Sequence, residues 1–251
     1  MPRSPSLLLA GLISVLFLAC TVIRADAKPA AGSAKKLQVL VIAGGHPYLV
    51  KPFRAIFAAY ADMDCTFVEE KTGGEAFEKV DAWPYDAIVL YNYMKKPSEK
   101  QQENFLKLLD RGTGLVILHH AIYGYRPWPE FQKIVGVTRW LSGAKNDFDL
   151  KIHIEDPQHP ITRGLSDFAI HDEVYQGHTI DPQVHVLLTT DQPANVKAIA
   201  WVHTYRHTPV FYLQLGHGEP AYKCPQYQDI VGRAIRWSAA AAVDGAGNKS
   251  R

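Results

Sequence analysis

Four short apolar runs in the first half of the chain alternate with segments whose apolar residues recur every three or four positions. Continuous apolar runs are typical of strands covered on both faces of a parallel sheet, and the longer spacing predicts amphipathic helices. The predicted strands are residues 37–43, 65–68, 87–91 and 115–118, and the predicted helices are residues 52–61, a helix that Ser98 caps and Gly112 ends, and residues 128–135. This alternation predicts an α/β fold.

The second half of the chain has a different pattern. Residues 149–155 alternate between polar and apolar, which predicts a half-exposed strand. A further strand is predicted at residues 185–190, a hairpin at 198–202 and 210–215, and a closing amphipathic helix at 226–238. The two halves together predict a three-layer α/β fold, in which a mostly parallel sheet carries added antiparallel strands.

The N-terminal residues 1–27 have the pattern of a signal peptide. Arg3 precedes an apolar stretch at residues 7–19, and Ala25-Asp26-Ala27 matches a cleavage site. The apolar stretch is too short to cross a bilayer, so we expect no stable membrane span. The less favoured alternative is lipidation at Cys20. Either route predicts a secreted or periplasmic protein.

The rest of the chain is predicted to form one domain at residues 37–240, between a flexible linker at 28–36 and a disordered tail at 241–251. The formal net charge is +2 and no basic patch is visible, which argues against a nucleic-acid partner. Cys65 and Cys224 are expected at opposite edges of the sheet, and a disulfide requires Cα atoms within about 7 Å. We therefore expect both cysteines to be free.

Polar side chains follow several of the predicted strands. Ligands of open parallel sheets bind beyond the carboxyl ends of the strands. The residues at these positions are His46, Asn92, Tyr93, His119, His120 and His217. Because three separate strand ends carry histidine, we expect His46, His119 and His217 to share one cleft.

The adjacent histidines His119 and His120 should differ in direction, because successive residues of a strand point to opposite faces. Both can reach one site only if the chain turns sharply between them. We therefore expect His119 in the cleft and His120 in support of it. A nucleophile elbow would sit at this turn, and the turn holds neither serine nor cysteine, so nucleophilic catalysis is disfavoured.

A further group of candidates lies in the segment IHDEVY, residues 170–175. By itself an Asp-Glu pair is more typical of a solvated turn or a helix cap than of a site. The candidate catalytic residues are His119, Asp172, Glu173 and His217, and the candidate substrate-binding residues are His46, Asn92, Tyr93, His120 and Tyr175.

Two kinds of chemistry fit these residue types. Imidazole and carboxylate groups suit zinc or a similar divalent metal, with His46, His119, Glu173 and His217 as the candidate ligands. The same groups could instead transfer protons without a metal, since histidine titrates near neutral pH. The sequence leaves both alternatives open.

Seven segments resemble the ThuA-like family, named for trehalose utilisation. They are VLVIAGGHPY, YDAIVLYN, GTGLVILHHA, HPITRGL, DFAIHDEVY, AIAW and VFYLQLGH, and with the closing AIRW helix they extend over residues 37–238. The resemblance implies a flavodoxin-like fold similar to the class I glutamine amidotransferases, without their cysteine, because His119 occupies the elbow region.

The same resemblance implies a role in carbohydrate use. The expected ligand is a small carbohydrate, with 3-keto glycosides made by a partner sugar dehydrogenase as the expected substrates. Hydrolase, lyase and isomerase activities are all compatible with it, and the alternative is a carbohydrate-binding or structural domain without catalysis. The turn at residues 205–209 departs from the family pattern, and we expect it to reshape the site.

Overall fold

The computed structural model describes residues 35–247 of the chain, with side chains described up to residue 240. The predicted signal peptide, Cys20 and most of the predicted linker lie outside the described residues. Within the described part of the chain, no helix is long and apolar enough to cross a membrane. Cys65 and Cys224 both carry free thiols.

Eleven strands and five helices make up the described part of the chain. The strands are β1 Leu37–Gly44, β2 Met63–Glu69, β3 Ala87–Asn92, β4 Gly114–Leu118, β5 Val137–Arg139, β6 Gly143–Ile154, β7 Phe168–Gln176, β8 Thr179–Ile180, β9 His185–Thr190, β10 Ala198–Tyr205 and β11 Thr208–Leu213. The helices are α1 Val50–Ala58, α2 Glu99–Asp110, α3 Glu130–Val135, α4 Glu219–Lys223 and α5 Pro225–Gly247.

Nine of the described strands form one sheet in the order β2-β1-β3-β4-β11-β10-β9-β6-β7. The first five strands of this order are parallel, and the remaining pairs are antiparallel. The carboxyl ends of β1, β3, β4 and β11 therefore meet at one edge. The small β5–β8 sheet is an addition that the sequence pattern did not predict.

The sheet has an apolar layer on each face, because the strand side chains alternate. In β1, Val39 and Val41 belong to one layer and Leu40 and Ile42 to the other. Helices α1, α4 and α5 cover the first layer, and α2 and α3 cover the second. The result is the predicted three-layer arrangement. Helix α2 begins at the predicted Ser98 cap, which forms a capping box with Gln101.

Several element boundaries differ from the sequence prediction. The closing helix was predicted to end at Ser238 with a disordered tail from residue 241, yet α5 runs to Gly247. Its extension begins with four alanines, the residue with the highest helix propensity. The IHDEVY segment is not a turn or cap but part of strand β7.

The turn between β10 and β11 was expected to reshape the site and lies instead at the opposite edge of the sheet. Strand β11 is parallel to β4, so its first residue, Thr208, is far from the carboxyl edge. Arg206 in this turn bonds Asp110 at the end of α2, at 2.7 Å. That expectation was therefore wrong, because the hairpin direction places the turn away from the strand ends.

The second half of the sheet curls back toward the carboxyl edge. Strand β7 is the last strand of the sheet order, yet Asp172 in β7 bonds the backbone N–H groups of Gly216 and His217, just after β11. The Gln214 side chain donates to the Glu173 carbonyl across the same gap, at 3.1 Å. This curl brings the middle of β7 to the strand ends where the histidines lie.

Candidate functional site

His119 lies at a sharp turn directly after β4. It begins a 3₁₀ turn, His119–Tyr123, and has a φ of 54°, a left-handed backbone that is uncommon for a residue other than glycine. Strained backbone of this kind clusters at active sites and ligand clamps. Because the chain turns here, strand alternation no longer separates the two histidines, and His119 and His120 line the same cavity.

The hydrogen bonds of His119 fix the tautomer of its ring. Its Nδ1 lies 2.8 Å from the Gln214 carbonyl oxygen, which can only accept, so Nδ1 carries the hydrogen. In the neutral ring Nε2 is then an acceptor. This Nε2 lies 3.2 Å from Nδ1 of His217 and 3.3 Å from Oε2 of Glu173. His217 Nδ1 is 3.6 Å from the same carboxylate oxygen.

The charges of these groups follow from their surroundings. Burial lowers the pKa of His119 well below its ordinary value, and the nearby His120 lowers it further. The nearby Glu173 carboxylate raises the pKa of the half-exposed His217. His119 is therefore neutral at neutral pH. Its Nε2 lone pair faces a carboxylate oxygen, a contact that needs a shared proton or a cation to be favourable.

A divalent metal fits this set of donor atoms. Within the described residues, His119, Glu173 and His217 offer ligand atoms that all lie within 4.8 Å of one another. Two histidines and one carboxylate are a ligand set that catalytic zinc sites use, with a further position left for water or substrate. Metal-binding histidines commonly donate their other N–H to a carbonyl, as His119 does to Gln214.

His46, which the sequence predicted as a fourth ligand, stays outside this metal-binding set. Its Nδ1 lies 2.8 Å from its neighbour's carbonyl at Pro47, and its ring stacks on His120 at 4.8 Å. The ring centroids of His46 and His217 are 6.5 Å apart. The loop after β1 thus places His46 in the wall of the cavity, next to the cluster.

The cavity at the carboxyl edge has a volume of about 110 Å³. Its wall combines the metal-binding candidates with aromatic rings and small apolar groups, and its residues are His46, Tyr93, His119, His120, Tyr123, Leu141, Ala144, Glu173 and Tyr175. The structure therefore brings His46, His119 and Glu173 to one cavity, with His217 in contact with His119 and Glu173.

The similarity of the chain to known proteins identifies its family. A family model described as ThuA, trehalose utilisation, matches residues 38–238. The chain belongs to the ThuA family. No curated protein shows significant sequence similarity to it.

Solved structures similar to this ThuA protein support its fold. A ThuA-like protein from Parabacteroides merdae has a TM-score of 0.70 and 20% identity, over 82% of this chain and 90% of that one. A ThuA-like protein from Bacteroides uniformis has a TM-score of 0.64 and 20% identity, over 84% and 95%. A chain of PurLQS from Thermotoga maritima has a TM-score of 0.55 and 12% identity, over 80% and 99%. The fold is thus glutamine amidotransferase-like, and the family is linked to carbohydrate utilisation.

Three predicted site residues of this ThuA protein lie outside the cavity wall, and one of them, His217, contacts the wall residues His119 and Glu173. Asn92 was predicted to bind substrate, but it is buried and donates to Oε2 of Glu70 at 2.9 Å. Asp172 was predicted to be catalytic, but its carboxylate accepts the backbone N–H groups of Glu173, Gly216 and His217. Burial raises the pKa of Asp172 to about 6. Asp172 therefore positions the two segments that carry Glu173 and His217.

His120 has a supporting contact in addition to its place in the wall. Its Nε2 lies 3.2 Å from the Tyr91 carbonyl oxygen, which accepts a hydrogen bond from it. Burial lowers the pKa of His120 to about 3, so the ring is neutral. The stacked ring of His46 thereby rests on a fixed neighbour.

The sequence analysis missed Glu70 and Gln214. Glu70 directly follows β2, and its carboxylate accepts from the Gly74 N–H, Asn92 and Tyr125. Gln214 directly follows β11 and holds His119 through its carbonyl. Both residues directly follow a strand, which is the position where the sequence analysis looked for ligand-binding side chains. Glu70 was missed because the second strand was predicted to end at residue 68, one residue before its end at Glu69.

Replacing Asp172 with asparagine tests the positioning role. The amide would turn an N–H group toward the N–H of Gly216 or His217, leaving a buried donor without an acceptor. We expect Asp172→Asn to lower the free energy of unfolding by about 1–3 kcal/mol, measured by urea denaturation. The control is Asp149→Asn on the adjacent strand β6, whose exposed side chain should make almost no difference. Equal stabilities of the two variants would contradict the role.

Proposed function

We propose that this ThuA protein is an enzyme that cleaves 3-keto glycosides by acid–base chemistry, assisted by a divalent metal that His119, Glu173 and His217 would hold. The observation that carries the proposal is the convergence of one carboxylate oxygen and the inward-facing nitrogens of two histidines. His119 is fixed in the tautomer that turns a lone pair inward. A metal in that position would supply a Lewis acid for the ketone oxygen of the substrate.

His46 is the proposed base. Its Nδ1–H donates to the Pro47 carbonyl, so Nε2 is free to accept a proton. A ketone at C3 of a sugar acidifies the hydrogen on C2. His46 takes this proton, a double bond forms between C1 and C2, and the alcohol at C1 leaves with the electrons of its C–O bond. The leaving alcohol takes the proton back from His46, which restores the base.

The size and lining of the cavity support a small sugar derivative as the ligand. Pockets for drug-sized ligands measure about 300–1,000 Å³, whereas this cavity measures about 110 Å³. Tyr93, Tyr123 and Tyr175 provide aromatic faces, which suit the apolar face of a sugar ring. We infer that one ring enters the cavity and that the alcohol portion stays at its mouth.

The proposal includes the cellular setting of the reaction. A dehydrogenase that oxidises the 3-hydroxyl group of a glycoside would supply the ketone. A signal peptide at residues 1–27, as the sequence predicts, would direct the protein and its reaction to the outside of the cytoplasm.

The test compares a methyl 3-keto-glucoside with methyl glucoside, which differs only in lacking the ketone. We expect the purified protein to contain a divalent metal in elemental analysis and to convert the keto compound alone, with release of methanol. Chelation of the metal should stop turnover, and adding back zinc or manganese should restore it.

Three results would contradict the proposal. Equal turnover of the two glycosides would show that the reaction does not depend on the ketone. Turnover that persists after the metal has been stripped would favour the metal-free form of the acid–base site. Binding of the keto compound without turnover by the metal-loaded protein would favour a carbohydrate-binding domain.

A further inference from the structure

A second cavity, of about 370 Å³, lies at β8, β9 and β10, and shares no residue with the cavity at the histidines. Its volume falls in the range of about 300–1,000 Å³ that is typical of small-molecule sites. The lining is Glu155, His178, Thr179, Ile180, Val186, Thr189, Val196, Lys197 and Ala198. The proposed carbohydrate chemistry makes no use of this cavity.

His178, in the wall of this second cavity, is an unpartnered buried histidine. Its exposure is 3%, and within the described residues neither ring nitrogen has a hydrogen-bond partner. The nearest aromatic ring, Trp201, donates its own N–H to the Val135 carbonyl. Burial lowers the pKa of His178 to about 4, so the ring is neutral at neutral pH and presents one donor and one acceptor.

Among the described residues, His178 is the only side chain with two buried polar atoms that both lack a hydrogen-bond partner. His203, also largely buried, lies on β10 and bonds the Ile134 carbonyl at 3.0 Å. Buried polar groups are normally hydrogen-bonded, and an unpaired group is costly. A partner for His178 would therefore come from outside the chain, and the cavity that its ring lines is the space in which a ligand can approach.

The other lining groups limit the chemistry of that ligand. Ile180, Val186, Val196 and Ala198 make much of the wall apolar. Thr189 already donates its hydroxyl to Glu155. The exposed side chains of Glu155 and Lys197 in the wall carry opposite charges, so the wall favours a ligand without net charge. An uncharged hydroxyl group can both donate and accept a hydrogen bond, which matches the neutral His178 ring.

We propose that this second cavity binds a small apolar ring compound that carries one hydroxyl group, such as a phenol, with the hydroxyl bonded to His178 and the ring against the aliphatic residues. Such a ligand satisfies His178, the unpaired buried polar side chain of this wall, and covers the apolar residues around it.

The test is an NMR titration of the purified protein with phenol and with toluene, which has the same ring without the hydroxyl. We expect phenol to bind about tenfold more tightly, as one added hydrogen bond to a buried group implies. The imidazole carbon signal of His178 should shift with phenol and stay nearly unchanged with toluene. His178→Phe should remove the preference for phenol and keep toluene binding.

His185→Phe is the matched control, because it changes a more exposed histidine at the start of β9, one of the strands that line the cavity. It should keep the tenfold preference. If His178→Phe does not fold, the shift of the His178 signal in the wild-type protein still shows whether phenol binds next to this residue. Equal affinities for phenol and toluene, or a shift confined to other histidines, would overturn the proposal.

Discussion

His119→Ala is expected to abolish turnover of a 3-keto glycoside, with a loss of more than about 100-fold, because changes to groups that only support metal ligands already cost about 10–100-fold. The change removes the ring whose Nε2 faces both Glu173 and His217, so it removes one of the three proposed metal ligands and breaks the cluster. The rate of alcohol release measures the effect, and circular dichroism verifies the fold. His119→Asn is a second variant, since asparagine tolerates the left-handed backbone at this position.

His120→Ala is the matched control for the adjacent position. His120 lines the cavity but bonds only the Tyr91 carbonyl. We expect a smaller loss of activity and a larger loss of stability, because a buried ring is removed from its packing. If His120→Ala were inactive and both His119 variants remained active, the assignment of the two histidines would be reversed.

Glu173→Gln is expected to weaken zinc binding by more than about 100-fold, because changes to groups that only support metal ligands already cost about 10–100-fold. The amide keeps the shape of the side chain and removes the negative charge that faces His119 and His217. Competition with a chromogenic chelator measures the affinity, and the same variant should lose turnover.

The control for this variant is Glu219→Gln. Glu219 is an exposed carboxylate two residues beyond His217, and its partner is Lys223. Zinc affinity should be unchanged in this control. If both variants bound zinc as the wild type does, the cluster would not be the metal site, and the acid–base reaction would have to proceed with protein groups alone.

The sequence predicted the part of the fold that local patterns determine. Strands β1, β3 and β4 are apolar on both faces, so each can be predicted from a short stretch of sequence. The start of α2 can be predicted in the same way, because Ser98 is followed by Gln101 at capping-box spacing. The curl of the sheet depends on contacts between residues more than forty positions apart, such as Asp172 with Gly216, and no local pattern carries it.

The candidate site was predictable to the same extent. His119 follows β4 directly and His217 lies four residues after β11, so both were found among the residues beyond the strand ends. Asp172 lies in the buried phase of β7, where Phe168, Ile170 and Val174 are also buried. The alternation along β7 therefore indicates that Asp172 faces inward. Its bonds to the backbone N–H groups of Gly216 and His217 could not be predicted, because they depend on the curl of the sheet. Asn92 likewise turns inward to Glu70, because the pair is fixed by tertiary packing.

The wide separation of the site residues along the chain has a consequence for biosynthesis. His119, Glu173 and His217 come together only when β7 has folded back onto the end of β11. Strand β11 itself pairs with β4, which is made almost a hundred residues earlier, and such distant pairings form slowly. A growing chain therefore cannot assemble the proposed metal site, or carry out the proposed reaction, until nearly the whole domain has been synthesised.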